Sequence, residues 1–243
     1  MLTRLTLISL LTFTTAVLAI DDIALIKSEG TLLFADDFNR ADASTTRDGL
    51  ANGWDSNSAR RASGQKQATI TDGVLTIETA PGADHNAVIF HPLAPDFQDG
   101  VIQIRARLSG DESFAIDFNN PECKTVHSGH IINVGFSKRG ILIKDSKTGA
   151  MDLKIRDQVK TGKKTPALTE RLRTKTKLIP AKLTDGQWHT LTMVKHGNAL
   201  RITIDGQLTG EFRSSGMTHD SITKVSISAK VSPQLDDLII WAL

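Results

Sequence analysis

The stretch that decides the fold is Asp185–Phe212, D-G-Q-W-H-T-L-T-M-V-K-H-G-N-A-L-R-I-T-I-D-G-Q-L-T-G-E-F. It reads as three short strands in a row. Trp188–Lys195 is the first, and His196-Gly197-Asn198 turns the chain. Leu200–Ile204 is the second, with Leu200, Ile202 and Ile204 on one face and Arg201, Thr203 and Asp205 on the other. That period of two belongs to a strand with one buried face. Asp205-Gly206 closes a tight hairpin, because glycine takes positive φ without steric cost, and Leu208–Phe212 returns.

Outward from this segment the same rhythm recurs. Thr31–Phe38 reads as a first strand, with Phe34, Asp36 and Phe38 sharing a face. Asn39–Gly53 is polar and irregular, and a donor-rich loop, Asp55–Gln67, follows Trp54. Ala68–Ile70 and Val74–Thr79 flank a second Asp-Gly turn, Asp72-Gly73. Ala87–His91, Val101–Leu108, Ser113–Asn119, His130–Phe136 and Gly140–Asp145 are further short strands with Gly or Asp turns between most of them. Leu235–Trp241 is apolar on both faces after Asp237, which predicts a buried central strand lying beside the first one. Such spacing indicates an all-β sandwich or jelly roll, not a parallel α/β sheet.

Residues 151–177 interrupt this pattern. Asp152–Val159 and Ala167–Arg173 have helical composition and are split by Gly162 and Pro166, which predicts two short helices inserted over one edge or rim. From Lys138 to Lys182 there are 14 Lys or Arg against 4 Asp or Glu, although the formal charge of the whole chain is only +2. Two readings stand open: a surface for a polyanion such as a sulfated or uronic polysaccharide, or a solvated insertion. Nucleic acid is not expected as a partner, because the basic segment has no aromatic residue on which a base can stack and the chain reads as exported.

Met1–Ala19 carries Arg4, an apolar run from Leu5, and small residues at its end, the pattern of a secretory signal. Residues 20–30 form a lead, and 31–243 a single domain exported to the periplasm, cell surface or exterior. No apolar stretch of membrane-spanning length follows the signal. Cys123 is the single cysteine, so the domain is expected to be held by its core without an intrachain disulfide.

Six motifs form a set: D-D-F-N-R at Asp36–Arg40, G-L-A-N-G-W at Gly49–Trp54, D-G-V-L at Asp72–Leu75, Q-W-H at Gln187–His189, I-D-G at Ile204–Gly206, and the closing L-D-D-L-I-I-W. Together they resemble the exported concanavalin-like (laminin-G-type) jelly-roll domains of planctomycete-type bacteria. Those are related to the 3-keto-disaccharide hydrolase and family 16 glycoside hydrolase-like proteins. The resemblance implies a carbohydrate partner, neutral or anionic, and a glycan-binding or glycosidase-like role; the alternative is a cell-surface interaction domain without a sugar site. The six glutamates, Glu29, Glu78, Glu112, Glu122, Glu170 and Glu211, do not form the E-x-D-x-x-E strand of true family 16 enzymes. Retaining hydrolysis needs two carboxyls roughly 5 Å apart, so that chemistry is not expected here.

Strand alternation supplies candidate site residues on its own. Gln103, Arg105 and Arg107 oppose an apolar face on Val101–Leu108; Asp117 and Asn119 do so on the next strand, and Asn133 and Lys144 on the two after it. If these strands neighbour one another in one sheet, their polar residues line its outer face. Beside them lies Glu122-Cys-Lys-Thr-Val-His127-Ser-Gly-His130, the densest chemical cluster in the chain. His127, His130, Asp117 and Glu122 are the candidate acid/base groups, and a metal site or a structural role remain the other readings. The two histidines converge only if Ser128-Gly129 turns or bulges. Arg105, Arg107, Asn119, Asn133, Lys144 and the loop residue His85 are the candidate sugar contacts, with Trp54 as a stacking platform; Trp188 and Trp241 are expected in the core. No cofactor is expected. Ca²⁺ is the one ion considered, on Asp36-Asp37 with Asp236-Asp237, against a simpler role for these aspartates in binding backbone amides or Arg40.

Overall fold

The computed structural model describes residues 28–243; the predicted signal segment and most of the lead lie outside the described residues. The chain forms β1 (Thr31–Asp36), β2 (Asp55–Ser56), β3 (Ala68–Thr71), β4 (Val74–Ile77), β5 (Ala87–Pro92), β6 (Gly100–Arg107), β7 (Ser113–Asn119), β8 (His130–Ser137) and β9 (Gly140–Asp145). After two helices come β10 (Thr176–Ile179), β11 (Trp188–His196), β12 (Ala199–Ile204), β13 (Gln207–Arg213), β14 (Lys224–Val231) and β15 (Gln234–Ala242). One antiparallel sheet runs β13-β12-β11-β6-β15-β4-β3, with β1 also paired to β15; the other runs β10-β9-β8-β7-β14-β5-β2. The two stack as a jelly-roll sandwich, the all-β fold class read from the sequence.

The Asp185–Phe212 stretch forms the three expected strands. Leu200 and Ile202 are fully buried on β12, and Asp205-Gly206 turns at φ +50° and +77°. Asp72-Gly73 repeats the same conformation. This twist matches that of the flanking strands, which is why two-residue hairpins favour it. The first and last strands pair, Ala35 opposite Ile239 and Asp36 opposite Leu238.

Between the sheets, Ile102, Ile104, Leu191, Met193, Leu235 and Ile240 of one layer face Ile116, Phe118, Val134, Phe136, Ile143 and Ile227 of the other, all essentially inaccessible. Each such side chain contributes about 1.5–3 kcal/mol through removal from water. The core consumes one face of every long strand, so function is left to the outer faces and loops.

The insertion is α2 (Leu153–Lys160) and α3 (Pro166–Thr174); a one-turn helix, α1 (Ser58–Arg61), precedes it in the donor-rich loop. Asp152 caps α2 through a hydrogen bond from the Ile155 amide, and Thr165 caps α3 from Leu168, with Pro166 in the first turn where its missing N–H costs nothing. Ile155 and Leu168 anchor the pair. No helix among the described residues is long and apolar enough to cross a membrane.

Candidate functional site

Sheet register builds the site. On the outer face of the seven-stranded sheet, Ser226 lies opposite Asp117, Asp117 opposite Asn133, Asn133 opposite Lys144, and Lys144 opposite Thr176. Five strands therefore carry one polar row. The next row along is small, with Ser228 opposite Ala115 and Ala115 opposite Gly135, so the floor beside the polar row is low.

His130 joins this face, one row along and opposite Asn119, because β8 bulges. Phe118 pairs with Ile132 but Asn119 pairs with His130, so Ile131 is an extra residue. Continuous alternation would put His130 on the core side with Ile132 and Val134. The extra residue reverses that: Ile131 is fully buried and His130 faces out. The preceding turn does bend as required, with Ser128 at φ +53° and Gly129 at +74°.

The result is a cavity of about 440 Å³ lined by His85, Asp117, His130, Asn133, Lys144 and Ser226, among others. Its far wall comes from Met151, Leu172 and Lys175 of the insertion. His130 Nδ1 stands 3.3 Å from Asp117 Oδ1, and Asn133 donates to the same oxygen at 3.1 Å. Lys144 makes no hydrogen bond or ion pair among the described residues, which leaves its ammonium to the cavity. His85 Nδ1 lies 2.9 Å from the Asn86 carbonyl. With Asp117 at one ring nitrogen, the other nitrogen of His130 is the one left for a ligand, a positioned base or hydrogen-bond partner.

Asp145 also borders this cavity but is spoken for. It is 1% exposed and accepts hydrogen bonds from Ser214 Oγ, Thr148 and the Gly216 amide, with Lys175 Nζ at 3.4 Å. Burial alone raises its pKa, but the Ser214 and Thr148 bonds outweigh this and hold the carboxyl below the usual range. Among the lining residues Asp117 is thus the one carboxylate able to act, and a retaining pair is absent.

Several expected contacts fall elsewhere. Arg105 and Arg107 sit on β6, which belongs to the other sheet, so they face away from the cavity across the sandwich. There they flank Trp188 at 5.0 and 5.1 Å, and Arg105 bridges Asp236 and Asp237 at 3.3 and 3.0 Å. Trp54 is no sugar platform: it is buried against Phe34, Phe38 and His91, and its indole donates to Asp36 at 2.8 Å. Trp188 and Trp241 are only half-buried, the reverse of the expectation.

Asn119 is 2% exposed and supports the site from beneath, donating to Ser226 Oγ at 2.8 Å. Glu122 is an exposed rim residue paired with Lys124, and His127 is exposed outside the cavity. Burial, then the charges of Arg156, His130, Lys160 and Arg61, hold the His127 pKa below the ordinary imidazole value.

The calcium reading fails on geometry. Asp36 turns inward onto Arg40, Trp54 and the Phe38 amide, while Asp236 and Asp237 turn to Arg105. No group of three or more His, Cys, Asp or Glu positioned for a metal occurs among the described residues.

Sequence reasoning missed β14 and with it Ser226 and Ser228, although Val225, Ile227 and Ala229 alternate there as clearly as elsewhere. It also missed Lys175 and the wall residues Met151 and Leu172, which no local pattern marks.

Residues 137–234 match the family model described as Laminin G domain. No curated protein matches the chain. Among solved structures, it is similar to SCLam, a non-specific endo-β-1,3(4)-glucanase from family GH16, at 16% identity and a TM-score of 0.55, with 88% of this chain and 91% of the glucanase covered. The endo-β-1,3-glucanase of Pyrococcus furiosus gives 14% identity and 0.53, covering 88% and 94%. The GlcNAcα1-4Gal-releasing endo-β-galactosidase from Clostridium perfringens gives 12% and 0.53, covering 88% and 63%. At such identities the likeness shows the fold, a laminin G or concanavalin-like jelly roll.

Proposed function

We propose that this chain is an exported carbohydrate-active jelly roll that binds an oligosaccharide on the outer face of its seven-stranded sheet. The observation that carries this reading is the convergence of His85, Asp117, His130, Asn133 and Lys144, from distant parts of the sequence, on one cavity of about 440 Å³. These side chains supply donors and acceptors over a low floor, the composition that fits hydroxyl-rich rings. The glucanase and galactosidase neighbours lend analogy to the reading and no more, since one fold hosts many functions.

One geometric feature favours catalysis. The His130–Asp117 pair beside an unpaired ammonium suits a 3-keto glycoside, as in the 3-keto-disaccharide hydrolases that the sequence resembles. His130 takes the proton from C2, acidified by the C3 carbonyl; Lys144 steadies the enolate; the C1–O bond then breaks and the departing alkoxide takes a proton. Water adds across the resulting double bond, and the net reaction is hydrolysis with no second carboxylate.

Calorimetric binding to oligosaccharides, paired with a turnover assay on 3-keto-glycosides, tests both levels. Binding that disappears in His130→Ala supports the pocket. Turnover that persists undiminished in both His130→Ala and Asp117→Asn rules out the catalytic reading, and silence in both assays favours an interaction domain without a sugar site.

A further inference from the structure

Along β14, Ser226 is followed two residues back by Lys224 on the same face, about 7 Å away by strand geometry. Lys224 sits one register row from the polar row, opposite Asn119. A second hollow opens there, about 490 Å³, lined by Arg60, Arg61, Pro121, Ser128 and Lys224. Its charged lining residues are all cations, brought by α1 on one side and β14 beneath.

These cations are poorly compensated. Arg60 makes no side-chain hydrogen bond or ion pair among the described residues. Arg61 meets Asp84 at 3.1 Å, a pair in which both side chains are at least half exposed and which contributes little. Lys224 lies 4.7 Å from the centre of the Phe90 ring. Burial and then Arg60 hold its pKa below the usual lysine range, against the opposing pull of Asp117 and Asp55. Two like charges at one partly buried place raise each other's energy, and an anion between them reverses the sign. The far wall is rigidly placed: a Cβ on Gly129 comes within 2.4 Å of the Asn120 carbonyl oxygen, so the turn carrying Ser128 is seated tightly on Asn120-Pro121.

We infer that this hollow is an anion-binding subsite, holding the carboxylate or sulfate of an acidic sugar residue whose neighbouring ring occupies the His130–Asp117 cavity. The inference rests on the saccharide reading of that cavity and narrows it to acidic glycans. Arg60 and Arg61 supply planar forks suited to carboxylate and sulfate oxygens, Lys224 a point charge, and Ser128 a hydroxyl. Arg156 and Lys160 of α2 extend the positive rim past His127, whose pKa feels both.

The test is a glycan array of neutral, uronate-bearing and sulfated oligosaccharides, probed with the wild type and with R60Q/R61Q/K224Q, the folding of each confirmed by melting temperature. Calorimetry on the strongest acidic glycan and its neutral counterpart follows at low and high salt. The acidic glycan is expected to bind at least about tenfold more tightly than the neutral one, given the strength of charge-assisted bonds. Added salt should erode that margin, and the triple variant should lose it while still binding the neutral glycan. Uronate or sulfate spots identify which anion is taken. Equal binding of neutral and acidic glycans, or an acidic preference that survives the triple substitution, overturns the subsite and leaves the saccharide groove standing. Silence of the wild type on every glycan class overturns the groove itself and the subsite with it.

Discussion

His130 Nδ1 and Asp117 Oδ1 lie 3.3 Å apart on adjacent strands, and one extra residue, Ile131, is what turns the imidazole toward the carboxylate. Asp117→Asn keeps the shape of this pair and removes its charge. Saccharide affinity or turnover should fall about 10²-fold or more, as for loss of a positioned acid/base partner, while stability changes by about 1 kcal/mol or less. Calorimetric binding and thermal melts on the same variant separate the two effects.

Arg105→Ala and Arg107→Ala should leave ligand binding unchanged, because β6 lies in the opposite sheet. Their cost is local, through Trp188 and the ion pairs to Asp236 and Asp237. A fall in affinity beyond about twofold in either variant contradicts the assignment of the groove to the seven-stranded sheet.

Asp36 ties three parts of the chain together, accepting from Arg40, the Trp54 indole and the Phe38 amide. Burial alone raises its pKa, but the Arg40, Phe38 and Trp54 bonds prevail and lower it. A lowered carboxylate pKa means that the unfolded chain binds the proton more readily. This part of the stability is therefore fully present above about pH 4 and is lost as pH falls through the folded pKa below it. Asp36→Asn should cost about 3 kcal/mol at neutral pH and flatten the acid limb of stability against pH. Denaturant melts across that range provide the check.

Two glycines give opposite expectations. Gly135 lies in the small row beside the polar one, and a Cβ there meets nothing closer than the Leu142 carbonyl oxygen at 3.8 Å. Gly135→Val should keep or raise stability, by about 0.5–1 kcal/mol, while raising the floor and weakening binding. Gly129 has φ +74° and no room for a Cβ. Gly129→Ala should cost about 1–3 kcal/mol and displace His130 as well, so melting temperature and binding fall together.

Much of the fold was legible because its signals are local. Leu200, Ile202 and Ile204 alternate, Asp-Gly pairs mark two hairpins, and the helices expected at Asp152–Val159 and Ala167–Arg173 are found at Leu153–Lys160 and Pro166–Thr174, with Pro166 opening the second helix where the sequence had marked it as a break. The polar row Asp117–Asn133–Lys144 was legible for the same reason, since alternation names the outer face. What alternation cannot name is the sheet. The turn at Ser109–Glu112 has the composition of a hairpin loop, yet it carries the chain from one layer to the other, and this single fact removes Arg105 and Arg107 from the site. His130 was recognised as chemistry, but its direction depended on a bulge that only pairing with β7 defines. Trp54 was misplaced because the polar loop after it says nothing of Asp36, which lies far back in the sequence and takes its N–H.

The insertion is latched at both ends. At its start Asp152 bridges Val126 and the His127 amide bonds the Met151 carbonyl; at its end the Asp145 amide bonds the Lys175 carbonyl. The groove consequently has two halves of different origin. Strands that also hold the core supply one, and a pair of helices fastened at its roots and anchored by Ile155 and Leu168 supplies the other. Substitutions on the helical half, at Leu172 for instance, can re-cut the mouth of the groove without disturbing the sandwich, so ligand preference in this architecture is free to drift while the fold stays fixed.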